Sequence, residues 1–377
     1  MMKTTSTIEQ KVISTFDYLH ENAEISWEEV ETTKYIKKML EESGCKVTTF
    51  DDCTGVIGEY GSFNKNLPVI GIRADMDALW QEVNNKFQAN HSCGHDAHMS
   101  IVLGVLWKLR ENPALSEKVA IKFIFQPAEE KGNGALKMVE KNVIDNVDYL
   151  FGVHLRPIEE TKMGHATPII VHGAAKMYEA VIKGDDAHGA RPHLNHNSIE
   201  IGAHIVNMIG QIHLDPRVPH SVKMTQFQAG GKNTNIIPGS ASFSLDLRAQ
   251  NNELMDQLEK KVIDILDSIK NLYDVDIVIK KIHGIVAAET NKEAIDILTK
   301  STVETLGTEN LDEPLITPGG DDFHFYTIKK PSLKASMLGL GCDLKPGLHH
   351  PHMSFNEGAL INGIDILYRA ILNTYDI

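Results

Sequence analysis

Cysteine is scarce in this 377-residue chain, and the four that occur form no disulfide framework. Cys45, Cys53, Cys93 and Cys342 are irregularly spaced, which excludes a small stapled secreted scaffold and fits a reducing, cytoplasmic setting. No stretch approaches the roughly 18 apolar residues of a membrane span. Met1 to Gln10 lacks the apolar centre of a signal peptide. Basic residues are outnumbered, 37 Lys and Arg against 51 Asp and Glu, for a formal charge of −14. That balance argues against nucleic acid and anionic membranes as partners. No internal repeat or low-complexity tract appears. The chain as a whole is 42% hydrophobic and longer than one core usually fills, so two domains are expected.

Histidine, by contrast, is plentiful and clustered. The stretch His91-Ser92-Cys93-Gly94-His95-Asp96-Ala97-His98 packs a thiol, three imidazoles and a carboxylate into eight residues. Cys93 and His95, two apart on a turning backbone, can address one centre. A thiolate and a neutral imidazole are good ligands for zinc or a related divalent metal. A lone Cys-x-His is more often a polar loop beside a buried thiol, so the case rests on what other stretches supply.

Apolar residues at 8, 12, 13, 16 and 19 follow a helical period. Ser26 and Glu29 have the spacing of a capping box and would open a second helix, with Gly44 its stop. Strands are expected at 47–50, 55–60, 68–73, 119–126 and 148–153, with a helix over 99–109 after the Cys-His loop. Buried strands alternating with helices describe an α/β fold, an open and mostly parallel sheet flanked by helices. Such sheets place their sites at the C-terminal ends of the strands. Over 176–281 the pattern becomes β-α-β-β-α-β, which is ferredoxin-like. It reads as an inserted α+β domain, 175–285, within a catalytic domain made of 1–174 and 286–377.

Polar residues close several of the expected strands. Asp75 and Asp77 follow the strand over 68–73 and would ligate a metal or hold a ligating imidazole in its working tautomer. Glu129-Glu130 follow Phe125-Gln126-Pro127-Ala128, so that one carboxylate can bind metal while the other faces a water. His154 closes a third apolar strand, and His349-His350-Pro351-His352 lie far off near the C-terminus. Singly, each has a bland reading: an acidic turn, a structural histidine, a surface cluster.

Together, Arg73-Ala-Asp-Met-Asp-Ala-Leu79, His91-Ser-Cys-Gly-His-Asp-Ala-His98, Phe125-Gln-Pro-Ala-Glu-Glu130, Gly152-Val-His154, Gly230-Gly231…Asn235-Ile-Ile-Pro238, Asp321-Asp-Phe323 and His349-His-Pro351 occur in order. This series resembles the N-acyl-amino-acid amidohydrolase branch of the aminoacylase and glutamate-carboxypeptidase metallopeptidase family. Relatives in that branch include hippurate hydrolases, auxin-conjugate hydrolases and N-acetyldiaminopimelate deacetylases. The resemblance implies a centre of two divalent metal ions, manganese or zinc, held by Cys93, His95, Glu130, His154 and His349. It implies Glu129 as general base, and His188, from the inserted domain, as the donor to the oxyanion. Asn235 and Arg248 match positions that hold the substrate's carboxylate, although a strand-end salt bridge explains Arg248 equally. The inserted domain would serve as lid and as the contact of a homodimer, with His188 acting in cis or across it.

The expected activity is hydrolysis of the N-acyl amide bond of a small N-acyl amino acid, to a carboxylic acid and a free amino acid. A dipeptidase or small-peptide hydrolase would use the same centre. A non-catalytic, metal-stabilised binding protein would have lost Glu129 or a ligand, and none is lost. The chain departs from the family between Leu79 and Cys93, which is short and carries Trp80 in place of a usual proline, and at Asp185-Asp186, where glycines are usual.

Overall fold

The computed structural model describes residues 7–377; Met1–Ser6, part of the polar N-terminal stretch read above, lie outside the described residues. The chain divides into two compact units. One runs to Val171 and resumes over Glu289–Leu315 and Asp322–Ile377; the other is His172–Ala288 with the strip Ile316–Asp321. The strip belongs there because Gly173 donates its N–H to both Thr317 and Gly319 carbonyls, a pairing that leaves no periodic trace in the sequence. Among the described residues no helix is long and apolar enough to cross a membrane.

The first unit begins with helices α1 (Ile8–Glu21) and α2 (Val30–Glu42). Strands β1 (Lys46–Thr49), β2 (Val56–Gly61) and β3 (Ile70–Asp75) follow. Next come the hairpin β4 (Leu79–Val83) and β5 (Lys86–Asn90), helix α3 (His95–Arg110), and strands β6 (Ala120–Gln126) and β7 (Tyr149–Pro157). The central sheet is mixed, ordered β1-β2-β6-β3-β7, then Lys334–Leu344, then Ala166–Thr167. Its four middle strands, from β6 to Lys334–Leu344, are parallel; the outer pairings are antiparallel. The middle strands are buried on both faces, which explains their continuous apolar runs.

Helix α3 shows why the unit holds together. From His95 to Trp107 every residue is buried, so this helix lies inside the unit, against α1 and the C-terminal helix Ala359–Thr374. A methyl at Gly104 would stand 2.3 Å from Ile364 Cδ1, so any larger residue there would displace the Ile364 side chain from between these helices.

The local readings fail in three instructive places. Ser26 and Glu29 form no capping box: Glu29 makes no side-chain cap for α2. Glu24 caps it, accepting the N–H groups of Glu31 (3.1 Å) and Thr32 (2.8 Å), while Ser26 and Glu29 are drawn to tertiary partners described below. Helix α3 starts at His95 rather than 99, because its first turn is polar and the 3.6-residue period shows only further on. Strand β7 runs past His154 to Pro157, paired with Gly339–Leu344.

The second unit has strands Ala174–Lys183, His220–Ala229, Ala241–Ala249 and Asp276–Ile285 with helices Ser198–Ile209 and Asn252–Tyr273. They follow the β-α-β-β-α-β order, and the antiparallel sheet places His220–Ala229 and Asp276–Ile285 at its edges. Tyr178, Phe243, Leu245, Leu247, Leu258 and Val262 fill its separate core.

Candidate active site

Asp75 terminates β3, and Asp77 follows it at the start of the loop, both fully buried. Opposite them, Gly94 adopts φ +87° and caps α3. That left-handed turn is open to glycine and strained for other residues, and it presents Cys93 and His95 on either side. A methyl at Gly94 would also press to 2.9 Å from Leu155 Cδ1.

Six side chains from the sequence blocks meet within this unit. Cys93 Sγ lies 3.6 Å from His154 Nε2. Glu130 Oε1 is 4.0 Å from His95 Nε2 and 3.2 Å from His349 Nε2. Potential ligand atoms of Cys93, His95 and His154 all lie within 4.8 Å of one another, as do those of Cys93, Glu130 and His349, and of His95, Glu129 and Glu130.

The imidazoles are oriented from behind. His95 Nδ1 donates to the Asp77 carbonyl (2.8 Å), which can only accept. Its Nε2 therefore faces the cluster, buried and without a hydrogen-bond partner. His154 Nδ1 donates to the Leu155 carbonyl (2.7 Å), turning Nε2 toward Cys93. His98, which carries no role in the sequence reading, accepts the Leu155 N–H (3.0 Å) and donates through Nδ1 to Asp75 (2.7 Å).

The same surroundings shift the titration of these groups, in opposite directions for the two histidines. Burial, then His98 and Arg156, push His154 well below the usual histidine range, leaving a neutral ring. Burial also pulls His95 down, but the Asp75 carboxylate and the hydrogen bond to Asp77 hold it above that range. Burial and Glu130 keep the Cys93 thiol protonated, well above its ordinary value. A nearby cation would reverse that.

The loop carrying the acid pair is clamped through its backbone. Ala128 sits at φ +52°, an uncommon conformation for alanine that surrounding contacts must enforce. Its N–H is accepted by Glu29 (2.9 Å). The next two N–H groups, of Glu129 and Glu130, are both accepted by Asp77 (3.0 Å each), which Ser26 also bonds (2.6 Å). Asp322 N–H reaches Glu129 Oε1 (3.3 Å).

Glu29 yields a pH prediction. Burial lifts its carboxyl from 4.5 to about 7, with the Thr54 hydroxyl opposing and Asp77 adding to the rise. The folded state therefore holds a proton that the unfolded chain releases, and stability falls as pH rises from 4.5 through 7. At about 1.4 kcal/mol per pH unit, wild type should lose about 2–3 kcal/mol relative to Glu29→Gln across that window. The amide keeps both hydrogen bonds. Urea unfolding of the metal-free proteins at pH 5 and pH 8 measures this; parallel pH profiles would refute it.

His188, Asn235 and Arg248 lie in the second unit. His188 is exposed on a two-residue strand paired with Ile236–Ile237, and its Nδ1 accepts the Ala190 N–H (3.0 Å). Asn235 precedes that partner strand, and Gly189 N–H bonds its carbonyl. Arg248 grips Asp246 with two hydrogen bonds (2.8 and 3.0 Å).

With this geometry in place, comparison with known proteins is direct. Residues 71–373 match Peptidase family M20/M25/M40, and the chain belongs to that family. It is 30% identical to the N-acetyl-L-cysteine deacetylase of Bacillus subtilis (strain 168), over 98% of this chain and 90% of that protein. It is 28% identical to IAA-amino acid hydrolase ILR1-like 5 of Arabidopsis thaliana, over 93% and 83%. Among solved structures, it superposes on the YXEP protein of Bacillus subtilis, described as a dinuclear metal binding peptidase from the M20 family. The TM-score is 0.79 at 26% identity, covering 97% of this chain and 98% of that one. An aminobenzoyl-glutamate utilization protein from Klebsiella pneumoniae shares the fold, with a TM-score of 0.76 at 20% identity over 97% and 96%.

Proposed function

We propose that this protein is a metal-dependent amidohydrolase that cleaves the N-acyl amide bond of N-acyl amino acids. The observation that carries the reading is the convergence of Cys93, His95, Glu130, His154 and His349 beside Glu129, in a chain whose relatives are named a deacetylase and an amino acid hydrolase. The donor set fits two divalent cations: one thiol, one carboxylate and three imidazoles, with His95 Nε2 buried and unpartnered. Those five residues would hold the ions. The thiol favours zinc, and the oxygen and imidazole donors also suit manganese.

Divalent cations, when bound, lower the pKa of water and polarise the amide carbonyl. The chain's own groups do the rest. Glu129 takes the proton of the attacking water and passes it to the leaving nitrogen, as general base and then acid. His188 accepts at Nδ1, so its proton sits on Nε2, where it can donate to the developing oxyanion. Asp77 fixes the Glu129–Glu130 backbone, and Asp75 orients His98 and faces His95. Asn235 binds the substrate carboxylate; Arg248 joins it on exchanging Asp246 for substrate.

The reading extends to a cytoplasmic homodimer joined through the inserted unit. It is supported by the composition and by the exposed apolar residues Ile199 and Val206, seven apart on one helix.

Comparing kcat/KM for N-acetyl- and N-benzoyl-amino acids with that for dipeptides tests the function. The acyl substrates should lead by at least tenfold, about 1.4 kcal/mol of transition-state binding. A reversed order would make the protein a dipeptidase.

A further inference from the structure

His349 presents a problem of precision. It is the most exposed member of the proposed ligand set, with 53% of its side chain open to solvent. It sits on a loop, and its backbone is left-handed at φ +63°, a conformation that persists only when neighbours enforce it. Metal ligands must be held to within about half an ångström.

The restraint comes from the β4–β5 hairpin. Its two-residue turn, Asn84-Asn85, has φ +53° and +63°, the pattern of a tight turn that fixes strand register. That register pairs Leu79 with Asn90 and Gln81 with Gln88, so Gln81 and Asn90 share a face. Gln81 Nε2 donates to the His349 carbonyl (2.8 Å). Its Oε1 accepts from Asn90 Nδ2 (3.0 Å) and Ser92 Oγ (2.8 Å). Ser92 in turn accepts the His349 N–H on its carbonyl (2.7 Å), and Asn90 reaches the Pro351 carbonyl (3.2 Å). Both backbone polar groups of His349 are thereby tied to the hairpin and to the residue preceding Cys93.

We propose that Gln81 is a positioning residue for the metal centre: it couples the His349 loop to the Cys93 loop and sets where the His349 imidazole stands. The inference rests on the ligand reading above. A lone glutamine between Trp80 and Glu82 carries no motif, and it lies in the segment that departs from the family pattern.

The test uses the full-length protein loaded with zinc. Gln81→Leu keeps the side chain's bulk and removes all three hydrogen bonds. Zinc release to a chelator should become biphasic, with one of two equivalents leaving on the order of 10-fold faster than in wild type. The metal-free Tm should move little. In a His349→Ala background, Gln81→Leu should add no further loss, because both changes act on one ligand. Two equivalents released at wild-type rates would overturn the proposal. So would a lowered metal-free Tm with unchanged release, which marks a purely structural role, or an additive effect in the His349→Ala background. Wild-type protein that never binds two equivalents would defeat the ligand reading itself, an outcome separable from any result with Gln81→Leu.

Discussion

Glu129→Gln should fold and take up metal like wild type, yet lose about two to four orders of magnitude in kcat, the usual worth of a positioned proton-transfer group. The substitution is nearly isosteric. Glu129 is held through its N–H by Asp77 and through Oε1 by the Asp322 N–H, and an amide oxygen can still accept the second bond. What the amide cannot do is take a proton from water. The loss should therefore fall on kcat, with metal content and unfolding curves unchanged. Retention of more than a tenth of wild-type kcat across acyl substrates would remove Glu129 from the mechanism.

The largest stability effect is expected at Arg73. This guanidinium is fully buried and joins the ends of two strands to the turn at Asp322: Nη1 to Asp75 (2.5 Å), Nη2 to Asp322 (3.1 Å) and Nε to Gln126 (3.0 Å). Asp322 also receives Gln126 Nε2 (2.8 Å) and the Ala135 N–H (2.9 Å), so it belongs to the scaffold behind the acid pair. Arg73→Met fills much of the volume but removes the cation that faces two buried carboxylates, Asp75 and Asp322. Breaking a buried pair from one side costs about 3–5 kcal/mol. Urea unfolding should show that loss, and Arg73→Lys, which keeps charge but not the planar fork, should fall between. A change under about 1 kcal/mol for Arg73→Met would mean that the carboxylates find other partners.

The class of the fold could be read from periodicity because the middle strands are buried on both faces and appear as unbroken apolar runs. The metal-binding residue types stand out because thiols and imidazoles in short spacing are chemically uncommon, and the structure gathers Cys93, His95, Glu130, His154 and His349 from segments far apart in the chain. What stayed hidden is tertiary. Ser26 and Glu29 have capping-box spacing, but nothing local reveals an Asp77 carboxylate or an Ala128 N–H waiting for them. His98 lay in plain view three residues after His95, on the same helical face, and that spacing could have marked it. Asp322 could have been marked by the Asp321-Asp-Phe323 block. Gln81 had no such signal; only the hairpin register gives it partners. The roles proposed for His188, Asn235 and Arg248 come from family resemblance, for no local pattern distinguishes an oxyanion donor from any exposed histidine.

The central claim is that five distant side chains hold two cations next to the Glu129 carboxylate. Anomalous diffraction from crystals of the zinc-loaded protein addresses it directly. Two peaks per chain are predicted, each about 2.0–2.3 Å from donor atoms of the Cys93, His95, Glu130, His154 and His349 set, with Glu129 coordinating neither. A fully loaded protein whose metal lay elsewhere, or a single peak without His154 or His349 among its ligands, would contradict the account.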